Sequence, residues 1–148
     1  MNIFQKSFLA CLPSSVENDR ELIHFKIVAF MCFLIFIIGL YSLIKWYSLG
    51  YMALANWAWV LVLGEPLLLI LNKADQLPRM LVANIQVFLA SIYTSCLIFY
   101  LGGLHSAHIY WPLVVIALAF TVSDKKWGVI WSALMMAEVV MFIVLERT

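Results

Sequence analysis

The sequence predicts an all-α integral membrane protein, built as a bundle of five transmembrane helices. Hydrophobic residues make up 66% of the 148 residues and charged residues only 11%, whereas soluble domains average about 45–50% and 25%. The apolar residues also fall into long runs, and about 20 consecutive apolar residues suffice to cross a bilayer. A soluble fold of this length cannot bury so much apolar side chain, so lipid is the expected surrounding. The net charge of +1 is uninformative about nucleic acid, and no nucleic-acid partner is expected because there is no basic patch beyond short loop clusters.

The N-terminal segment, residues 1–13, carries apolar residues at helical spacing. They are Phe4, Phe8, Leu9 and Leu12. This pattern is typical of a short interfacial helix lying on the membrane, with a frayed terminus as the alternative. Pro13 interrupts the apolar pattern, so no cleavable signal peptide is expected. Ser14 and Glu17 then form a capping-box pattern, which predicts a helix that runs into the first span.

The five predicted spans are separated by short turns and loops. They cover about residues 25–44, 52–71, 80–101, 107–122 and 127–145. The first and second spans are separated by an aromatic turn at about residues 45–51, the second and third by a polar loop at about 72–79, and the third and fourth by a glycine turn at about 102–106. A charged loop at about residues 123–126 precedes the fifth span. The fourth span is short against the usual length of about 20 residues.

The loop charges predict which side of the membrane each loop occupies. Seven cations fall on one side, namely Lys6, Arg20, Lys26, Lys73, Arg79, Lys125 and Lys126. The positive-inside rule therefore places the N-terminus in the cytoplasm and the C-terminus outside. An outer aromatic belt is expected from Trp46, Tyr47, Tyr51, Tyr100, Tyr110 and Trp111.

Glu65 and Glu138 lie inside the second and fifth spans. A carboxylate at membrane depth costs roughly 2.5 kcal/mol or more, so such a residue faces a partner, a cavity or a pathway. The alternative is a neutral acid that is hydrogen-bonded between helices and serves packing. Pro66 follows Glu65 and removes a backbone hydrogen bond, which frees a carbonyl one turn earlier and predicts a kink.

The two carboxyl groups are predicted at comparable depths. Glu65 lies roughly 12 Å from the inner end of its span and Glu138 roughly 18 Å, at 1.5 Å per residue. One internal cavity can therefore accommodate both. The third span offers hydrogen-bonding side chains for it, namely Asn84, Gln86, Tyr93 and Thr94. Glu138 has no cation within a turn, so we expect it to be protonated at neutral pH.

Metal binding and catalysis have weak sequence support. His105 and His108 can share a helix face and bind Zn or Cu. The one outer carboxylate, Glu146, lies on a different loop, which favours interfacial, hydrogen-bonded histidines instead. The three cysteines, Cys11, Cys32 and Cys96, have no metal or redox spacing and are expected to be buried apolar side chains. No catalytic motif is present, so this chain is not predicted to be an enzyme.

The segment from Gly102 to Trp111, Gly-Gly-Leu-His-Ser-Ala-His-Ile-Tyr-Trp, resembles part of a known family. It is similar to the Gly-Gly-x-x-Ser/Asn-Pro segment of polytopic sensor domains, which precede bacterial histidine kinases and diguanylate cyclases. The motif covers ten residues, although the layout of spans resembles the family over about residues 25–145. Ala107 stands where the family usually has proline. This departure weakens any inference of quinone binding at the loop.

The resemblance implies a sensory input domain in the bacterial inner membrane, with a small hydrophobic or membrane-dissolved signal and a homodimeric state. The family's sixth helix and output domain are not in this sequence, so the chain is expected to be either part of a longer protein or a stand-alone relative. No cofactor is expected apart from a quinone or another lipophilic ligand. The candidate ligand-binding residues are Glu65, Pro66, Tyr93, Gly102, Gly103, His105, Ser106, His108, Trp111 and Glu138. Two rival functions remain open, a small proton-coupled transporter using Glu65 and Glu138, and an accessory subunit of a membrane complex.

Overall fold

The computed structural model describes residues 19–74, 76–103 and 107–145, and this part of the chain is helical without strands. Five α-helices follow one another, α1 (Asp19–Ser48), α2 (Met52–Lys73), α3 (Arg79–Tyr100), α4 (Trp111–Val122) and α5 (Lys125–Leu145). A 3-10 turn, Ala107–Tyr110, leads into α4. The predicted interfacial helix over 1–13 and the capping box at Ser14 and Glu17 lie outside the described residues.

Four of these helices, α1, α2, α3 and α5, are long and apolar enough to cross a membrane by length and composition. The predicted helical membrane bundle is consistent with this architecture. Helices α1, α2 and α5 extend two to six residues past the predicted spans, because backbone hydrogen bonding continues where the side chains become polar. The predicted turn at 45–51 is therefore wrong for its first half, since α1 continues to Ser48. Helix α4 begins four residues later than predicted, because residues 107–110 form a 3-10 turn.

Helix α4 is shorter than the other four. Its 12 residues correspond to about 18 Å, against a hydrocarbon core of about 30 Å. The preceding 3-10 turn adds about 8 Å at 2 Å per residue. Pro112 stands in the first turn of α4, where its missing N–H group is not needed for helical hydrogen bonds.

The buried apolar residues form two clusters along the bundle. The first joins residues of all five helices, including Val28, Leu68, Val82, Val122 and Met135. The second joins α1, α2 and α3, and includes Ile35, Leu54, Leu61, Tyr93 and Leu97. Helix α5 is peripheral, because its buried residues are Gly128, Met135 and Phe142, one every second turn.

Contacts at the two ends show that the helices alternate in direction. At one end, Arg79 of α3 donates to Glu21 of α1 at 2.9 Å, and His24 Nε2 of α1 lies 2.7 Å from the Val122 carbonyl of α4. At the other end, Trp46 of α1 packs its ring against His108, just before α4. The loops after α2 and α4, which carry the predicted inner cations, therefore share one end of the bundle.

This arrangement predicts where a thiol at Gln76 is accessible. Gln76 is exposed in the loop between α2 and α3, and the positive-inside rule places that loop in the cytoplasm. In a chain whose native cysteines are replaced, Gln76→Cys is expected to resist an impermeant maleimide added to intact cells. Leu49→Cys, which is 58% exposed at the opposite end, is the matched control and is expected to react. Rapid labelling of Gln76→Cys with protection of Leu49→Cys contradicts the orientation.

Candidate functional site

Glu65 belongs to a buried polar cluster that joins three helices. Its side chain is 0% exposed, and its Oε2 atom accepts a hydrogen bond from Gln86 Nε2 of α3 at 3.2 Å. The same amide nitrogen lies 3.3 Å from the Cys32 sulfur of α1. Glu65 Oε1 and Gln86 Oε1 are both buried without a hydrogen-bond partner. Cys32, Glu65 and Gln86 are called the three-helix polar cluster below.

Local sequence explains why Glu65 faces inward. Leu61, Glu65 and Leu68 lie at helical spacing of three and four residues, so they share one face of α2, and all three are buried. Pro66 lies inside α2 and does not end it. Its ring still leaves the carbonyl of Val62 without its usual helical donor.

Glu138 makes a separate contact between α5 and α3. Glu138 lies within reach of the Ser95 hydroxyl, whose one proton is donated to the Ser91 carbonyl at 2.9 Å. Protonation of Glu138 at neutral pH stays a prediction. The Glu138 Oε1 atom has no partner.

The two carboxyl groups contact different parts of α3, so the structure does not show the shared cavity that the sequence allows. They contact α3 at Gln86 and at Ser95, which are nine residues apart, or roughly 13 Å along the helix axis. The direction in which each side chain points depends on how its helix is rotated about its own axis. A continuous apolar run does not specify that rotation.

A third polar contact ties α1 to α3 near the other end of the bundle. Trp46 Nε1 donates to the Tyr93 hydroxyl at 3.0 Å, and the buried Ser42 of α1 lies near that hydroxyl. Trp46 is 5% exposed, so its predicted place in an outer aromatic belt is wrong. The Lys45 ammonium lies 4.5 Å from the centre of the Trp46 ring, a cation–π contact.

An apolar cavity of about 60 Å³ adjoins this contact, because Tyr93 also lines the cavity. Its wall includes Ile35 and Ile38 of α1, Leu61 of α2, Tyr93 of α3, and Trp111 and Leu118 of α4. Two candidate ligand-binding residues, Tyr93 and Trp111, therefore face the same space. From the sequence, a pocket is expected between the second, third and fifth spans, near Glu65, Glu138 and Tyr93, or under the glycine turn. Of these three residues Tyr93 lines the cavity, and neither carboxyl group does.

The glycine turn has the predicted backbone conformation. Gly102 has φ of 103° and Gly103 has φ of 59°, and glycine reaches positive φ without steric cost. The expectation that at least one of them has positive φ is confirmed. Both follow the end of α3 at Tyr100.

The remaining candidates are dispersed or lie outside the described residues. His108 is half-buried and stacks near Trp46, with ring centres 6.3 Å apart. His105 and Ser106 lie outside the described residues. No group of three His, Cys, Asp or Glu side chains that could hold a metal ion is found in the described part of the chain.

Sequence reasoning missed two residues that make specific contacts. Cys32 looked like an apolar filler, yet its sulfur contacts Gln86. Trp46 looked like an interface anchor, yet it is buried. Gln86 was anticipated as a donor for a buried carboxyl group but not as a site residue. The available signal was that Gln86 is a polar residue well inside an apolar span.

Comparisons with protein-family models, with curated proteins and with solved structures give no match to this chain. The class that the fold defines is a helical membrane bundle, and its candidate sites are the apolar cavity and the buried polar contacts.

Proposed function

We propose that this chain is a sensory input domain of a bacterial signalling protein of the histidine kinase type. It crosses the inner membrane five times with its N-terminus in the cytoplasm. It binds a small lipophilic molecule from the bilayer and acts as a homodimer. The observation that carries this proposal is the apolar cavity between α1, α2, α3 and α4, lined by Tyr93 and Trp111.

The size of the cavity limits what it accepts. An apolar cavity of about 150 Å³ can bind benzene, and this cavity has about 60 Å³. It therefore holds a group smaller than an aromatic ring, such as the end of an alkyl or isoprenoid chain. The rest of the molecule remains outside, in the bilayer. A quinone with an isoprenoid tail is one molecule of this class.

Helix α4 contacts both the cavity and α5, so it can pass the effect of a bound ligand from the cavity to α5. Trp111 and Leu118 on α4 line the cavity, while Phe120 of α4 contacts α5 so closely that a Cβ atom on Gly128 would lie 2.5 Å from its ring. Because packed helices shift as units, a ligand that displaces α4 moves α5. Movement of α5 then biases a two-state dimer.

The contacts of the two carboxyl groups favour the sensory function over the rival transporter function. The transporter function required two carboxyl groups acting in one pathway, and Glu65 and Glu138 contact α3 at different depths.

Photo-crosslinking tests the proposal directly. The probe is a long-chain alkanol with a diazirine on its terminal carbon, added to the purified full chain in detergent. We expect saturable labelling of Tyr93, Trp111 and neighbouring wall residues, which the unmodified alkanol competes away. Labelling that is spread over the lipid-facing surface and resists competition shows lipid solvation alone and contradicts the proposal.

A cavity-filling variant provides the matched comparison. Ala90 lines the cavity, so Ala90→Phe is expected to reduce the competed labelling at least tenfold. Leu134→Phe places the same side chain on α5 at a position that is 51% exposed and is expected to leave the labelling unchanged. Equal labelling of both variants contradicts the assignment of the cavity.

A further inference from the structure

The three-helix polar cluster contains two acceptor oxygens that an ionised Glu65 leaves without donors. They are Glu65 Oε1 and Gln86 Oε1. They belong to the same two side chains that already share the 3.2 Å contact from Gln86 Nε2 to Glu65 Oε2. Buried polar atoms are nearly always hydrogen-bonded, so two orphaned oxygens on one contacting pair need an explanation.

One proton accounts for both oxygens. A protonated Glu65 Oε1 becomes a donor, and Gln86 Oε1 is the matching acceptor. The acid and the amide then exchange two hydrogen bonds in a closed ring. The second N–H of Gln86 is directed to the Cys32 sulfur, 3.3 Å away. Every donor and acceptor of the Glu65 and Gln86 side chains is then satisfied.

We propose that Glu65, Gln86 and Cys32 form a proton-binding site that joins α1, α2 and α3 inside the membrane. The ligand is a single proton held on Glu65, and the Glu65–Gln86 pair is a cyclic acid–amide pair. The site is independent of the apolar cavity, whose wall contains none of these three residues.

The composition of the cluster favours a proton over a metal ion. Calcium takes six to eight oxygen ligands at about 2.3–2.6 Å, and the cluster offers two free oxygens and a thiol. The side-chain donor to Glu65 is Gln86 of α3, and the third member of the cluster is the Cys32 thiol of α1. Neither carries a positive charge that could neutralise a carboxylate.

Infrared spectroscopy tests the bound proton. The full chain carrying Glu138→Gln is reconstituted in phosphatidylcholine vesicles at neutral pH, so that Glu65 is the one carboxyl group left deep in a span. We expect a carboxylic acid C=O band that disappears when Glu65→Gln is added. We expect Gln86→Leu to move this band to higher frequency, because the acid loses both partners. A missing acid band, or one that Gln86→Leu does not move, overturns the proposal.

Thermal melting in detergent provides an independent test. Glu65→Gln keeps one donor and one acceptor facing Gln86 and is expected to melt within a few degrees of the parent. Glu65→Met is apolar and of similar length, so it leaves the Gln86 amide unpaired and is expected to melt clearly lower. Adding Gln86→Met to Glu65→Met is expected to restore part of the loss. Equal melting of Glu65→Gln and Glu65→Met contradicts the cyclic pair.

Discussion

Replacing Gly102 and Gly103 together by valine is expected to lower the melting temperature of the chain in detergent by more than either substitution alone. Their φ angles are 103° and 59°, in the region that β-branched residues avoid. Each substitution costs of order 1–3 kcal/mol in backbone strain. Loss of helical circular dichroism on heating measures the effect.

A single substitution separates backbone strain from crowding. A Cβ atom on Gly102 meets nothing within 4 Å, so destabilisation by Gly102→Val reflects the backbone rather than a clash. Asparagine tolerates positive φ better than most residues, so Gly102→Asn is expected to lose less stability than Gly102→Val. If the double valine variant melts like the parent, the turn is not constrained, and the resemblance to the sensor family loses its main structural content.

Replacing Gly39 by alanine is expected to destabilise the contact between α1 and α2. A Cβ atom at this position would lie 2.9 Å from Leu61 Cβ and 3.3 Å from the Val62 backbone nitrogen. Both atoms are fixed to the helix, so the helices must separate. Overpacking of this kind costs about 1–3 kcal/mol, and the gain in helix propensity of about 1 kcal/mol offsets part of it. Chemical denaturation in mixed micelles is a suitable measurement.

Gly64 is the matched control for Gly39. A Cβ atom there would lie 2.6 Å from Leu89 Cδ1, the far end of a flexible side chain that can turn away. Gly64→Ala therefore keeps the gain in helix propensity and is expected to be neutral or stabilising. A variant Gly39→Ala that is as stable as Gly64→Ala would show that α1 and α2 are not held in this close approach.

Sequence reasoning anticipated the features that depend on local pattern. The helices follow from the apolar runs, and the positive φ of the glycine turn follows from two adjacent glycines between them. Glu65 was singled out because a carboxyl group stands out in an apolar run. Gln86 was named as a donor for the same reason. Each of these inferences needed only the residues of one helix or one turn.

The features that depend on how each helix is rotated about its axis could not be predicted from the residues of one helix or turn. Glu65 and Glu138 have similar predicted depths, and only their facing partners on α3 separate them. Trp46 stands at the end of an apolar run like any belt tryptophan, and its burial depends on where Tyr93 points. The apolar cavity is formed where side chains of four helices fail to fill the space between them, so no single segment of sequence encodes it.

Because α4 is short, the hydrophobic thickness of the bundle is smaller at α4 than at the other helices. Leu113 and Val114 on α4 are 60% and 54% exposed, and α4 with its 3-10 turn is about 26 Å long, shorter than a hydrocarbon core of about 30 Å. Lipids next to α4 must compress or tilt to cover it, at a cost of fractions of a kcal/mol per Å of mismatch. The chain is therefore expected to partition into thin bilayers in preference to thick ones, with the local deformation centred on the helix that lines the cavity.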